Sequence, residues 1–348
     1  MAEEVWMLQT KKADFKQIGA RFRIDPVTAR IIRNRGIEGE AAIDRYLNGT
    51  LDDLYDPMLL KDMERAVSIL CEAVDTGKKI RIVGDYDIDG VCSTYILLQA
   101  FERLGSDVDF EIPDRIKDGY GINESIIEQA HADGVEVILT CDNGISAFHQ
   151  VELAKKYGMT VVITDHHEVP LDGEKEKIPP ADAVIDPKQA DCPYPFPEIC
   201  GAVVAYKLVQ VLYARRGVPQ MEWLDLLEFA AIATVGDVMK LQDENRILVK
   251  YGLKKMAQTK NLGLRRLAEK NNLDLGAITA YHIGFVIGPC LNAGGRLKTA
   301  KEALALLRAQ SEEEAERLAE ELKELNDTRK DMTEQGTEAA KLQVESWY

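Results

Sequence analysis

The sequence predicts an α/β protein: a parallel five-stranded sheet flanked by helices, with an N-terminal helical cap, a helical second half and a long C-terminal connecting helix. Three patterns carry that expectation. From Lys79 short β-branched runs alternate with helical stretches; from Cys200 to about Gln310 the pattern is helical almost throughout; and from Ser311 to Glu345 apolar positions recur at helical spacing without a proline.

Taken in order, residues 1–50 read as short helices, with Asp25-Pro26 supplying one start and RIIRNRGIEGEAAIDRYL giving apolar positions three to four apart. The runs KIRIV, VDFEI, VEVILT, TVVIT and DAVI are the expected strands. Each is followed by a helical stretch, the alternation of a parallel sheet covered on both faces. LLEFAAIATV, nearly uncharged, must be a buried helix. Within 311–325 seven glutamates stand against Arg317 and Lys323, which predicts one long, solvated helix. The expected division is a helical segment 1–70, the sheet with its helical half at 71–310, and the long helix at 311–348. The ending LQVESWY is apolar and aromatic with no partner in the remaining sequence, so a longer parent chain is expected, a natural terminus being the alternative.

The chain has 348 residues, and 59 acidic against 43 basic side chains give a net charge of −16. That balance excludes a general polyanion-binding surface, so any nucleic-acid contact must be local or assisted by bound cations. Disordered and collagen-like classes are excluded by 46% hydrophobic content. No run of 18 apolar residues occurs, and the start MAEEVWMLQTKK is acidic where an export signal would be basic and then apolar. The six cysteines form no CxxC pair. A cytoplasmic protein with reduced, mostly buried thiols and no membrane partner is expected.

The informative acids fall at strand ends. KIRIV runs into Gly84-Asp85-Tyr86-Asp87-Ile88-Asp89-Gly90, VEVILT into Cys141-Asp142-Asn143-Gly144, and TVVIT into Asp165-His166-His167. Ligands of open parallel sheets bind outside the carboxyl ends of the strands, so these clusters should converge on one crevice. Repulsion among so many buried carboxylates calls for one or two divalent cations. Carboxylates with a neutral imidazole suit Mn²⁺ or Mg²⁺, and no thiolate set points to zinc. A calcium loop starting at Asp85 would need Glu at its twelfth position, where Ile96 stands. Gly90 opens a helix, either to let backbone amides approach a ligand or merely to make the turn. Of the paired histidines one is expected to ligate metal, and the other to contact a phosphate or move a proton. Asp237, interrupting the apolar segment FAAIATVGDVMKL, calls for a metal or a positive partner.

In order along the chain, LYDPMLLKDMERAV, VGDYDIDGVCST, IPDRIKDGYGIN, TCDNGIS, ITDHH, AVIDPKQADCPYPF, CGAVVAYKL, TVGDVMKL and GPCLNAGGRL resemble the DHH phosphoesterase superfamily, and within it the RecJ single-stranded-DNA exonucleases. The resemblance implies a DHH-type catalytic domain over 71–310. It implies metal ligation by Asp85, Asp87, Asp89, Asp142, His166 and Asp237, with Asp142 bridging two ions, and catalysis by His167, Asp142 and Asp165. Arg115 and Arg296 match phosphate-holding positions, Asn292 stands in the same string as Arg296, and Tyr120, Gly121 and Asn123 match a substrate-side loop. The implied reaction is 5′-to-3′ hydrolysis of single-stranded DNA to 5′-mononucleotides in repair and recombination, on a strand with a 5′ end, with a single-strand-binding protein or a helicase as possible partner. Family nucleases continue past the long helix into a second lobe (DHHA1) and an oligonucleotide-binding domain.

Two other functions compete. A pyrophosphatase, oligoribonuclease or cyclic-dinucleotide phosphodiesterase of the same superfamily carries a His four residues before the first paired Asp, where this chain has Val83 or Asp85. A non-catalytic replication scaffold would lose metal ligands, and all are present.

Overall fold

The computed structural model describes Met7, residues 11–115 and residues 119–347, the last by its backbone. Most of the opening MAEEVWMLQT, Ile116 to Asp118 of the IPDRIKDGYGIN string and Tyr348 of the aromatic ending lie outside the described residues.

Five runs expected as strands form one all-parallel sheet. They are β1 (Ile80–Val83), β2 (Val108–Glu111), β3 (Val137–Cys141), β4 (Thr160–Thr164) and, after a small hairpin, β7 (Ala183–Ile185), in the order β2-β1-β3-β4-β7. The hairpin, β5 (Leu171–Asp172) paired antiparallel with β6 (Lys175–Glu176), was not expected, since two-residue strands are too short to show a period.

Side chains alternate between two cores, as a doubly covered sheet requires. Ile80, Ile82, Val137, Leu139, Cys141, Val162 and Ile185 face the larger core, whereas Val83, Ile138, Val161, Ile163 and Val184 face the smaller one under the helices Glu124–Ala132 and Phe148–Lys156. The larger core is built by the helix Ile88–Arg103, whose residues are nearly all buried, packed on Gly201–Arg215 and on Leu227–Gly236. The LLEFAAIATV segment is thus buried as its composition requires. Among the described residues Arg81 is the one cation inside the sheet, held by Asp109 and Asp133.

At the N-terminus the helices Phe15–Phe22, Pro26–Asn34 and Glu40–Asn48 gather around their own small core of Ile32, Ile37, Ile43 and Tyr46. Asp25 caps the second of them, accepting from the amides of Val27 and Thr28. The boundary expected at residue 70 falls inside the helix Met63–Asp75, whose Met63, Val67 and Leu70 belong to the larger core.

The C-terminal helix runs unbroken over Glu312–Trp347, but the expectation that it is solvated holds only for its second half. Ala315, Leu318, Ala319 and Leu322, at steps of three, one and three, make a buried stripe, the last three in the larger core. Glu316 and Glu320 on the flank pair with Lys270. From residue 330 the helix is exposed.

All six cysteines are free, and five of them are buried, as expected. No described helix is long and apolar enough to cross a membrane.

Candidate metal centre

Each predicted cluster sits where its strand stops. Past β1, Asp87 caps the helix Ile88–Arg103, its Oδ1 accepting from the amides of Asp89 at 2.9 Å and Gly90 at 3.1 Å. Those amides are therefore not free for a ligand, and Gly90 serves the turn: a Cβ there would run into the Asp85 backbone. Past β3, Asp142 takes a left-handed φ of 61°, a conformation a non-glycine residue keeps only when its surroundings impose it. Past β4 come Asp165, His166 and His167. Asp237 is the C-cap of Leu227–Gly236, half-buried at the negative end of that helix.

These residues converge into two complete triads. Asp85, Asp87 and Asp142 form one, and Asp89, His166 and Asp237 the other, each offering ligand atoms within 4.8 Å of one another. All six residues expected as ligands fall in these two groups, none in both. The triads meet where His166 Nε2 lies 3.0 Å from Asp142 Oδ1 and 3.4 Å from Asp89 Oδ2. A third grouping of Asp142, His166 and His167 overlaps both.

The electrostatics suit a divalent cation. Burial, then the neighbouring Asp87, raises the Asp85 carboxyl to about 7. Asp237 rises to about 7 through burial and the charge of Asp89, and Asp142, buried among Asp89, Asp87, Asp165 and Asp85, rises well above the carboxylate range. Burial holds His166 below its ordinary value and so neutral, the form a metal ligand must have. Asp85 Oδ1 is buried with no hydrogen-bond partner. An unpartnered buried acceptor, mutually repelling carboxylates and a neutral imidazole fit one or two oxygen-preferring divalent cations.

Asp165 and His167 play a different part from the triads. Asp165 Oδ1 accepts from the amide of His166 and lies 2.7 Å from His167 Nδ1, while Oδ2 accepts from the Ile145 amide. Burial works against that carboxylate, but the His167 hydrogen bond and charge win and lower its pKa. Burial likewise opposes charge on His167, yet the bond to Asp165 and its charge lift the ring to about 9. Asp165, expected in the catalytic set, is thus placed as the group that orients His167. The hydroxyl of Tyr120 stands 3.1 Å from His167 Nε2 and donates to the Asp142 carbonyl at 3.0 Å.

One triad member also joins the two halves of the chain. The Asp89 carboxylate accepts from the amides of Gly201 and Ala202, both at 2.7 Å, at the start of the helix Gly201–Arg215. Gly201 is required there, because a Cβ would lie 2.7 Å from Asp142 Cβ.

Around the rim, exposed Arg115 lies over the Tyr86 ring, 5.3 Å from its centroid. Asn292 and Arg296 line a cleft of about 140 Å³ with Gly236 and Arg329. Asn123 caps the helix Glu124–Ala132, its Oδ1 accepting from the Ile126 amide, while its Nδ2 is buried without a partner. Gly121, at φ 68°, packs against Asn143.

Sequence reasoning missed four residues. Tyr86 sits edge-on to Tyr120. Asn143 ties Val83, Cys141 and Ile122 together by hydrogen bonds. Asp186, raised to about 7 by burial and by Asp165, ends β7 as the other acids end their strands, a signal that could have found it. Arg329 lay unremarked on the long helix.

A parallel sheet with carboxylates gathered at its strand ends defines a class, and residues 79–234 match the model of the DHH family, N-terminal domain. A crystal structure of exonuclease RecJ bound to manganese aligns with 79% of this chain and 68% of its own at 35% identity and a TM-score of 0.71. RecJ from Thermus thermophilus in complex with Mn²⁺ aligns with 92% of this chain and 44% of its own at 31% identity and a TM-score of 0.76. The single-stranded-DNA-specific exonucleases RecJ of Bacillus subtilis and Escherichia coli are 37% and 36% identical over 98% and 92% of the chain. The chain belongs to the RecJ family. It spans about half the length of these curated relatives, 42% of the first and 56% of the second.

Proposed function

We propose that this chain is the catalytic core of a metal-dependent exonuclease that hydrolyses single-stranded DNA from its 5′ end to 5′-mononucleotides, acting in the cytoplasm in DNA repair and recombination. The observation that carries the reading is the pair of triads meeting at Asp142 and His166. Asp85, Asp87 and Asp142 would hold one Mn²⁺ or Mg²⁺, and Asp89, His166 and Asp237 the other. Bound there, two such ions would make a water nucleophilic at neutral pH and neutralise charge on the phosphate under attack.

The chain's own residues supply the rest. His167, kept protonated by Asp165 at Nδ1, has its second N–H, at Nε2, on the Tyr120 hydroxyl; turned from that hydroxyl to a phosphate oxygen or to the leaving oxygen, it is a charged donor. Arg115 and Arg296 give the planar donor pairs that suit phosphate better than lysine. A single-strand-binding protein or a helicase is a fitting supplier of the strand.

Release of mononucleotides from a 5′-phosphorylated oligonucleotide by the 348-residue chain with Mn²⁺, and not with a chelator, tests the reading. Preference for short RNA or a cyclic dinucleotide would redirect it within the superfamily. No hydrolysis of any of these, with no metal bound, would leave a non-catalytic module.

A further inference from the structure

The helical segment from Ala280 to Leu297 carries two kinds of chemistry on one face. Tyr281 and Phe285 are 63% and 68% exposed, with rings stacked 4.8 Å apart at 27°. Pro289, Asn292 and Arg296 follow Phe285 at steps of four, three and four residues, which keeps them on the same side. Between Ile283 and Ile287 the chain makes a π turn, a rare widening frequent at functional sites. Two stacked rings left in water forgo the stabilisation their burial would bring, so the pair points to a binding surface.

At the other end of this face two cations wait without acids. Arg296 and Arg329 line the same cleft, and among the described residues neither forms an ion pair; Arg329 donates only to Asn326. Asn292 Oδ1, in the same cleft, is buried without a partner. Gly236 of the cleft wall directly precedes Asp237, and the charge of Asp87 reaches Arg296, so the cleft lies beside the metal centre.

We infer that this face is a track for single-stranded nucleic acid: Arg296 and Arg329 take a backbone phosphate, and Tyr281 and Phe285 stack on bases of the strand as it leaves the metal centre. Phosphate meets the demand of two unpaired arginines, and every base has a face for an aromatic ring; cation and aromatic in alternation is the chemistry by which single strands are held. From Phe285 to Arg296 the helix rises about 16 Å, room for no more than about five nucleotides even at the close spacing of a stacked strand. The inference rests on the nuclease reading for its substrate class.

The test is the double variant Tyr281→Ala with Phe285→Ala in the 348-residue chain. Affinity for fluorescent 5′-phosphorylated dT12 is read by anisotropy with Ca²⁺, and turnover of dT12 and of the dinucleotide pdTpdT with Mn²⁺. Expected are a ten- to hundredfold weaker Kd for dT12, dinucleotide turnover within twofold of the parent, and recovery of binding in Tyr281→Phe with Phe285→Tyr. An unchanged Kd in the double variant, no binding by the parent, or an equal loss on blunt duplex overturns the track. If the parent hydrolyses neither substrate while the variant still loses binding, the track stands and the nuclease reading fails.

Discussion

His167 Nδ1 lies 2.7 Å from Asp165 Oδ1, and the same buried carboxylate is anchored through its other oxygen by the Ile145 amide. This arrangement makes Asp165 a holder of ring orientation and charge. Asp165→Asn is expected to lower kcat about ten- to a hundredfold with Mn²⁺ affinity kept, the range seen when a carboxylate that orients a histidine is lost. Steady-state kinetics beside metal titration checks it, and a loss of metal affinity of the same size would make Asp165 a ligand after all.

Asp142 is buried among four other carboxylates, so neutralising it relieves repulsion and removes a proposed ligand at once. Asp142→Asn is expected to keep or raise the melting temperature of the metal-free protein and to abolish hydrolysis. It should also lose the rise that Mn²⁺ gives the parent, a rise equivalent to about 2.7 kcal/mol at a hundredfold excess over Kd. Thermal melts with and without Mn²⁺ decide; a full Mn²⁺ shift in the variant counts against the two-triad site.

Arg296 stands at the cleft with Arg329 and Arg115 near enough, after burial, to lower its pKa. Arg296→Ala is expected to raise KM for a 5′-phosphorylated strand roughly tenfold or more, since a charge-assisted contact is worth about 1.5–3 kcal/mol. The Mn²⁺ melting shift should stay intact. A reduced shift would assign Arg296 to the metal centre.

Far from the metal, Glu228 is buried beside a cavity of about 360 Å³, one oxygen accepting from Thr259 and the other unpartnered. Burial raises its pKa from 4.5 to about 7. The folded chain therefore keeps this proton where the unfolded chain has lost it. Stability from this group is complete below pH 4.5 and falls as pH rises to about 7, by a loss on the order of 3 kcal/mol. Glu228→Gln should flatten that decline; denaturant melts of both proteins at about pH 5 and about pH 8 measure it, and parallel declines would refute it.

Four of the five strands were legible because each is a largely β-branched run buried on both faces, and half-buried β2 at the sheet edge because VDFEI alternates apolar and acidic residues; the acids were legible because they follow such runs directly. The docked half of the last helix was written in Ala315, Leu318, Ala319 and Leu322 but masked by the surrounding glutamates. The clasp between Asp89 and the amides of Gly201 and Ala202 could not be read at all, since no local pattern joins residues 112 positions apart. Arg329 was invisible for the same reason: one arginine on an acidic helix carries no signal until the fold sets it beside Arg296.

That clasp decides how far the site is portable. Because each Asp89 oxygen accepts an amide from the first turn of a helix from the other half, a graft of β1, β3 and β4 onto a foreign scaffold would carry the carboxylates without their seat. Cys200 to Ala202 must travel with them. An activity scan at Asp89 would likewise report assembly of the halves as much as chemistry, so proteolytic resistance belongs beside turnover in any experiment at that position.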